Sequence, residues 1–493
     1  MIGEHLPALQ VVVPLVAAPL IVLARRGAAA WLIATIASFV SLAIALALFV
    51  EVREAGVVSY ALGSWAPPWG IEYRIDAANS VVLVLVALLA SFVAPYAWRS
   101  AAFEVPEDQH YLCYAMFCLC LAGLLGIAIT GDAFNLFVFL EISSLSSYVL
   151  IALGRDRRAL LSAYQYLIVG TIGATFYVIG VGLLYLETGT LNIADLAARV
   201  AEVGTERPVL AALAFITVGL SLKLALFPLH FWLPNAYAYA PSIVSAFLAG
   251  TATKVSIYAL LRFYFSVFGA HELFEVLPMG AILLALSVAA MMLASLGAVF
   301  QDNLKHMLAY SSVGQIGYIT FGISLANQPA LTGSVVHLVN HGVTKTALFL
   351  LAGAVAFRVR SVRFERLGGL ARAMPLTCAG IVAGGFSLIG VPGTAGFVSK
   401  WYFVLGALEA GSWSMAFLPV VSSLIALWYM WRFVEVAYFR APGPALAGVK
   451  EAPPALLVPS LALIAVTVFF GLDAPLTVGA AAQAAQVLLG GIR

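Results

Sequence analysis

The stretch from Gly219 to Leu261 decides the fold and reads GLSLKLALFPLHFWLPNAYAYAPSIVSAFLAGTATKVSIYALL. It is apolar enough to enter a membrane, yet Lys223 and Lys254 flank a double break at Pro228 and Pro234. A charged side chain near the bilayer centre costs at least about 2.5–3.5 kcal/mol. A proline break also frees backbone carbonyls, which only protein-lined or water-lined surroundings tolerate. This combination favours a functional interpretation, and we predict an ion-translocating site here.

The composition of the whole chain is that of a polytopic membrane protein. Of its 493 residues, 63% are hydrophobic and only 10% are charged, whereas soluble domains carry about 25% charged residues. The net charge of +2 gives no indication of nucleic-acid binding, because the basic residues lie in loops between apolar runs. The four cysteines, Cys113, Cys118, Cys120 and Cys378, form no CxxC pair, so neither a disulfide framework nor an iron–sulfur site is indicated.

Apolar runs long enough to cross about 30 Å of hydrocarbon predict an all-α polytopic membrane protein with about fourteen transmembrane helices. The predicted spans are, in order, 8–24, 29–50, 77–97, 111–130, 134–154, 161–185, 208–228, 241–267, 275–299, 306–325, 330–357, 375–407, 414–438 and 453–472. No cleavable signal peptide is expected, since Glu4 and His5 precede the first span.

The loop charges predict the orientation of the chain in the cell (inner) membrane. Alternate loops contain Arg25, Arg26, Arg99, Arg155, Arg157, Arg158, Lys305, Arg358, Arg360, Arg363, Arg366, Arg372, Arg440 and Lys450. The remaining loops offer only Arg53, Arg74, Arg199 and Arg207, with Arg493 at the terminus. The positive-inside rule then places both termini on the non-cytoplasmic side.

Proline interrupts two spans. The seventh breaks at LALFPLHFWLP, and the twelfth breaks at GVPGTAGF (Gly390–Phe397), just before Lys400. The odd offset between the two spans gives them opposite directions, which is typical of inverted five-helix repeats with sites on discontinuous helices. We therefore predict four regions: 1–110 (the first three helices), 111–267 (first repeat), 275–438 (second repeat) and 439–493 (the fourteenth helix and a C-terminal tail).

Glu141 in the fifth span is the predicted partner of Lys223. Burial disfavours the charged form of a lysine and a nearby carboxylate favours it, so opening and closing the pair would release and bind a proton. The alternative is a static buried ion pair that fixes helix packing. Buried pairs are poor stabilisers compared with apolar replacements, which favours the functional interpretation.

The eleventh span contains His337, His341 and Lys345 at spacings of four residues, so all three lie on one helix face. Histidine titrates near neutral pH, which suits a proton relay. The same spacing is also found in zinc sites, but no carboxylate lies nearby in sequence and Lys345 would repel a cation. A pair of histidines packed in the core is the remaining alternative.

Further ionisable residues complete the set of candidates. Lys400 follows the second break, Lys305 opens the tenth span, and His230 lies inside the first break. Lys305 either joins the relay or extends its amine to the membrane interface. Arg262 and Arg432 lie toward helix ends and are interpreted as interfacial.

No motif for covalent chemistry is visible in the sequence. There is no Walker loop, no GxSxG and no GxGxxG in a strand–helix setting. We predict no cofactor and no metal, and expect the energy to come from an ion gradient or a partner protein.

Five segments resemble the antiporter-like membrane subunits shared by Mrp-type Na⁺/H⁺ antiporters, respiratory complex I and membrane-bound hydrogenases. They are NLFVFLEISSLSSYVL, KLALFPLHFWLPNAYAYAPSIVSAFLAGTATKVSIYALLR, DNLKHMLAYSSVGQIGY, HLVNHGVTKTALFLLAG and GVPGTAGFVSKWY. Lys400 and the residues around it look closest to the D branch of the Mrp-type antiporter subunits. Asn235 stands where many relatives carry aspartate, which leaves a carboxylate role there in doubt.

The resemblance implies a proton route along the middle of the membrane. Glu141 and Lys223 would be the coupled pair, Lys254 the bridging lysine, His337 and His341 the connecting histidines, and Lys400 the terminal lysine. It also implies other subunits of a membrane antiporter or respiratory complex as partners, with protons and Na⁺ as candidate ions. The alternatives are a proton-pumping subunit of a redox complex, an independent carrier of an anionic solute, and a non-conducting scaffold.

Overall fold

Helices satisfy their own backbone hydrogen bonds, so an apolar chain of this composition is expected to form helices in lipid. The computed structural model describes residues 3–490 and is almost entirely helical within them. The elements of the first half are α1 (Leu6–Ala24), α2 (Gly27–Ala55), β1 (Val58–Ala61), β2 (Glu72–Ile75), α3 (Ala77–Glu104), α4 (His110–Ile129), α5 (Ala133–Ala152), α6 (Arg157–Thr188), α7 (Ile193–Val203), α8 (Arg207–Leu224) and α9 (Leu233–Tyr239).

The second half continues the same helical architecture. Its elements are α10 (Ser242–Gly250), α11 (Ala252–Leu261), α12 (Met279–Ala289), α13 (Ser295–Val299), α14 (Leu304–Leu325), α15 (Gln328–Val359), α16 (Leu370–Ala373), α17 (Pro375–Ile389), α18 (Ala395–Glu409), α19 (Trp413–Val434), α20 (Pro454–Leu472) and α21 (Ala474–Gly490). Wider π-helical turns occupy Arg262–Val267, Glu272–Val276, Ala290–Ala294 and Glu435–Phe439.

The predicted fold class is confirmed. Within residues 3–490, twelve helices are long and apolar enough to cross a membrane. The less apolar α14 and the divided helix α17–α18 account for the tenth and twelfth predicted spans. The seventh span is divided as expected, because α8 ends at Leu224 and α9 begins at Leu233. The repeat boundaries 111–267 and 275–438 remain a prediction.

The C-terminal segment that we expected to be a tail contains the helix α21. After a turn at Asp473, this helix packs against α3, α15 and the π-helical turn Arg262–Val267. The Nε2 of Gln328, at the start of α15, donates to the Ala482 carbonyl at 3.0 Å. The segment is too short and too weakly apolar to be recognised as a span, but one face of it buries small residues and Leu488.

Loop contacts divide the molecule into two faces that agree with the predicted alternation of the spans. On the basic face, Arg155 donates to the Val105 carbonyl at 3.2 Å, and Asn303 forms a β-bridge with Arg363. On the opposite face, the hairpin β1–β2 pairs Val58 with Ile75. Which face is cytoplasmic remains a prediction from the loop charges.

The helices that carry the predicted site lie in the centre of the bundle. In the most apolar 18-residue stretch of Ser242–Val267, 100% of the residues are buried. The corresponding share is 83% in α15 but only 33% in α20. The outer helices therefore face lipid or partner chains, and the ionisable residues of the inner helices are shielded from lipid by protein.

Two glycines allow α8 to approach α6 closely. A Cβ atom on Gly219 would lie 2.6 Å from the carbonyl oxygen of Gly173 and 2.7 Å from the backbone nitrogen of Tyr177. Small residues permit this kind of backbone contact between membrane helices. The contact fixes α8 one turn before Lys223 and so helps to place the lysine.

Candidate functional site

Lys223 lies in the last turn of α8 and faces α5. Its Nζ lies 3.5 Å from the Oε1 of Glu141 and donates to the Ser144 hydroxyl at 2.7 Å. The lysine side chain is 3% exposed, whereas the glutamate side chain is 25% exposed. The predicted pair is therefore present, but the short hydrogen bond goes to Ser144, one helical turn beyond Glu141 on α5.

The break after α8 is built from ordinary helix-end chemistry. Ala225 adopts a left-handed conformation with φ of 59°, and Leu226 N–H bonds the Ser221 carbonyl. The indole Nε1 of Trp232 donates to the Leu222 carbonyl at 2.9 Å. These bonds satisfy carbonyls that the end of a helix leaves free, so the break is a fixed structure that holds Lys223 at a helix terminus.

Lys254 lies just after a second interruption, at Thr251 between α10 and α11. Its side chain is completely buried. The amine donates to the Ala249 carbonyl and, at 3.2 Å, to the Thr253 hydroxyl. No carboxylate bonds this lysine within residues 3–490. Its partners there are neutral groups that lie close to it in the sequence.

The two histidines of α15 are stacked as their spacing predicts. The rings of His337 and His341 have centroids 5.9 Å apart and an interplanar angle of 9°. His337 Nδ1 is bonded to the Ser399 hydroxyl at 2.7 Å, while its Nε2 has no hydrogen-bond partner within residues 3–490. Both ring nitrogens of His341 are buried without a partner in the same range. Buried imidazoles with open nitrogens can accept or pass a proton through a water molecule.

Lys345 is fully buried and faces α14 rather than the histidine rings. Its amine donates to the Leu308 carbonyl at 2.8 Å and to the Ser311 hydroxyl. His341 and Lys345 lie four residues apart on α15. Lys345 therefore lies one helical turn from His341 and contacts α14, the helix that carries Lys305 in its first turn.

Lys400 lies in the second turn of α18, and its side chain reaches back across the break to the end of α17. Its Nζ donates to the carbonyls of Leu388 and Ile389, at 2.9 and 2.8 Å, and to the Ser423 hydroxyl at 2.7 Å. These carbonyls belong to the last turn of α17, so the ammonium lies at the negative end of a helix dipole. Gly390, with φ of 88°, makes room for it, because a Cβ there would lie 2.7 Å from the lysine Cδ.

Tyr318 joins Lys400 to the histidines. The lysine Nζ lies 4.5 Å from the centroid of the Tyr318 ring, and that ring lies 5.6 Å from the ring of His337. The tyrosine hydroxyl donates to the Pro419 carbonyl at 3.1 Å. The structure thus places Lys400 beside the same histidine that its neighbour Ser399 bonds.

Lys305 is buried, and its amine is held by contacts with other parts of the chain. Its side chain is 5% exposed, and its Nζ lies 3.1 Å from the Ala240 carbonyl and 3.8 Å from Glu104 Oε1. Glu104 also accepts hydrogen bonds from the backbone and hydroxyl of Ser242. Sequence reasoning missed this glutamate, since nothing local to the end of α3 connects it with α14.

A polar cavity of about 620 Å³ opens above this pair on the basic face. Glu104 and Lys305 contribute to its wall together with Arg155, Asp156 and Arg158. A hydrogen bond from Arg158 holds the pKa of Asp156 below its ordinary value, so that carboxylate stays ionised at neutral pH. The cavity brings water to the end of α14 that carries Lys305.

Two other candidates differ from expectation. His230 stacks on Phe227 with centroids 5.0 Å apart and lies beside Tyr310; no hydrogen bond joins it to the lysines within the described chain. Arg262, expected at the interface, is instead a buried residue whose Nη1 lies 2.8 Å from Asp76 Oδ2. Arg432 does reach the basic face, where it pairs with the exposed Asp302 at 2.7 Å.

Side chains that hold the lysines and histidines were also missed from the sequence. Ser144, Ser399 and Ser423 are small hydroxyl residues in apolar helices, and such residues usually bond their own helix backbone. A weak signal exists for Ser144, because it follows Glu141 by three residues and therefore lies near the same helix face. Nothing local to Ser423 indicates Lys400.

Two broken helices, each with a buried lysine, lie on either side of a histidine pair. This arrangement defines the class, which is an antiporter-like, multi-pass membrane protein. The family model described as "NADH:quinone oxidoreductase/Mrp antiporter, TM" matches residues 130–426, more than half of the chain. The chain therefore belongs to this family, and the predicted resemblance is confirmed.

Individual relatives include members of both branches. The chain is 43% identical to the N subunit of NADH-quinone oxidoreductase from Desulforudis audaxviator, over 95% of this chain and 96% of the relative. It is 30% identical to the D subunit of the Na⁺/H⁺ antiporter from Alkalihalophilus pseudofirmus, over 96% and 94% of the two chains. One polypeptide of the Mrp complex from Dietzia sp. DQ12-45-1b superimposes with a TM-score of 0.91 at 29% identity, covering 99% of this chain and 98% of that one.

Proposed function

We propose that this chain is the proton-translocating subunit of a multi-subunit monovalent cation/proton antiporter, and that protons move along Glu141, Lys223, Lys254, His341, His337 and Lys400. One observation carries the proposal: buried amines and imidazoles form a line across the bundle between its two broken helices. Keeping such groups away from water costs several kcal/mol each, and a scaffold has no need of them.

The gap between Lys223 and the helix of Lys254 contains a small polar cavity. Its volume is about 10 Å³, and its lining includes Ser143, Ser147, Lys223 and Ser256. This is about the space that one water molecule requires. Ala252 and Ser256 of α11 line this cavity, so a water molecule here would link Lys223 to the helix that carries Lys254.

Protons reach this line from the basic face in our proposal. The cavity above Glu104 and Lys305 brings water to the start of α14. The Leu308 carbonyl and Ser311, which hold the amine of Lys345, follow on the same helix. Lys305 and Lys345 therefore form a branch that joins the line at His341, in addition to the stretch through Lys223 and Lys254, and protons leave at Lys400 beside the second break.

A redox-driven pump is the second candidate function. It is supported by the 43% identity to an N subunit of NADH-quinone oxidoreductase, which exceeds the 30% identity to a D subunit of an antiporter. The proton line would be the same in both cases, and only the source of energy would differ: an opposing cation in one, electron transfer in partner subunits in the other.

The test uses membrane vesicles that contain the intact complex. Lys223→Ala and Lys400→Ala should each lower proton movement about a hundredfold or more, as expected for removal of a proton-transfer group. Lys450→Ala, in an exposed loop, is the control and should behave as the wild type. Retained exchange in either of the first two variants, with normal expression, would contradict the proposal.

The driving force is tested in the same vesicles. Exchange that follows an imposed ΔpH and requires Na⁺, without added electron donor, supports the antiporter. Proton uptake that appears only when a donor and quinone are supplied supports the redox-driven pump instead.

A further inference from the structure

Below Lys254, a stripe of polar side chains follows α11 toward the opposite face. Tyr258 and Arg262 come four and eight residues after Lys254, so the three lie on one side of the helix, separated by about 6 Å of rise per step. Arg262 Nε donates to the Tyr258 hydroxyl at 3.2 Å, and its Nη1 donates to Ser266 at 3.4 Å. The chain therefore places a row of polar side chains between the central lysine and the opposite face.

The stripe ends in a buried ion pair with nearly ideal geometry. Arg262 contacts both carboxylate oxygens of Asp76, through Nη1 at 2.8 Å and Nη2 at 2.9 Å. Both residues are 5% exposed. Asp76 is also the N-cap of α3 and accepts the backbone N–H groups of Ala78 and Asn79. The guanidinium is thus held at one point by a carboxylate that is itself fixed by a helix end.

An arginine at this point cannot pass a proton onward. Its guanidinium keeps its proton under all ordinary conditions, unlike the lysines and histidines of the central line. The positive charge of the guanidinium is balanced by Asp76, so the barrier is the lack of an atom on Arg262 that could accept a proton. Helix α21 packs over the same region, against α3 and Arg262–Val267.

We propose that Asp76 and Arg262 form an ion-pair plug that closes the path from Lys254 to the opposite face. A proton on Lys254 then has only the lateral route to His341 and His337, so release occurs at Lys400. The plug rests on the proposed role of Lys254 as a proton carrier. It adds two positioning residues that prevent passive leakage of protons.

The test measures decay of an imposed ΔpH in vesicles with the intact complex, with Na⁺ and electron donors absent. Leaving one charge of a buried pair alone is strongly destabilising, so the main variant neutralises both, Asp76→Asn with Arg262→Gln. We expect ΔpH to decay about tenfold faster, because the neutral amide side chains leave space for water where the ion pair stood. Arg432→Gln, which breaks an ion pair on the basic face, is the control and should leave the decay unchanged.

A second arm identifies where the leak begins. Adding Lys254→Ala to the neutralised pair should return the decay to the wild-type rate. An assembled complex without a leak, or a leak that persists without Lys254, would overturn the plug. Loss of the assembled complex would overturn it as well, since the pair would then be an element of the fold. Because the assay is passive, its failure is distinct from failure of exchange.

Discussion

The two lysines at the broken helices are held in different ways. Lys223 is held by side chains of α5, with Ser144 at 2.7 Å and Glu141 at 3.5 Å. Lys400 is held mainly by backbone, through the carbonyls of Leu388 and Ile389. A carboxylate can move away or be protonated, whereas the carbonyls of a helix end cannot. In the proposed relay, this difference would make Lys223 the switched station and Lys400 the fixed one.

The largest expected effect comes from removing the switch. Glu141→Gln keeps the shape of the side chain but removes its charge, so Lys223 loses the partner that favours its protonated form. We expect proton movement in vesicles to fall about a hundredfold. Glu202→Gln, in an exposed position at the end of α7, is the matched control. Full activity in Glu141→Gln would mean that Ser144 alone holds Lys223, and the contrast between the two lysines would disappear.

The histidines test whether the two lysines belong to one line. His341→Ala removes a ring with two open nitrogens, and we expect about a tenfold loss of exchange. His306→Ala is the comparison, since His306 contacts Asn235 and Tyr239 near the basic face. We expect His341→Ala to be at least as damaging as His306→Ala. The reverse order would argue against a relay along α15.

Two glycines test the backbone site of Lys400. Gly390 and Gly393 both have left-handed φ, of 88° and 86°, so alanine strains either position by about 1 kcal/mol. Only at Gly390 does the new Cβ also displace the Lys400 side chain; at Gly393 it meets nothing closer than 4.0 Å. Thermal unfolding should shift by similar amounts, while exchange should fall several-fold more in Gly390→Ala. Equal exchange in both would show that the position of Lys400 is not critical.

The serines give the smallest effects. Ser423→Ala leaves Lys400 with two carbonyl partners, so we expect a loss of about two- to fivefold, close to one neutral hydrogen bond of about 1 kcal/mol. Ser144→Ala leaves Lys223 only the longer contact with Glu141, so we expect a larger loss of exchange than in Ser423→Ala. Exchange rates measured side by side decide the order. A larger loss in Ser423→Ala would reverse the assignment of switched and fixed stations.

The sequence predicts the elements far better than the contacts between them. Apolar run length identifies the spans, and proline and glycine identify both breaks, since these signals are local. The stacking of His337 and His341 follows from helical spacing alone. In contrast, Asp76 and Arg262 are 186 residues apart, and no periodicity connects them. The pair of Lys223 with Glu141 could be predicted because an isolated charge in lipid demands a partner.

The same limit explains why the sequence did not predict the burial of Arg262, which was assigned to the interface, or of Lys305, which was left open between the relay and the interface. A basic residue near the end of an apolar run is normally assigned to the interface, because its long side chain reaches water there. Lys305 and Arg262 are instead covered by carboxylates from α3 and its N-cap. α21 escaped recognition for a related reason: its alanine-rich face is defined by the helices that it covers.

In the proposed relay, the bond between His337 and Ser399 would make each proton crossing a cycle of two steps. The Ser399 hydroxyl donates to the Gly396 carbonyl, so it accepts from His337 Nδ1–H and leaves the Nε2 lone pair open. For a proton that arrives at Nε2 to leave from Nδ1, the hydroxyl must first turn from the Gly396 carbonyl, which cannot take a proton, to another acceptor such as water. The imidazole is then left with its proton on Nε2. Both must turn back before the next proton can follow, so each crossing is a hop followed by a reorientation. In this picture the slow step is a rotation of one small hydroxyl and one ring, without movement of any helix.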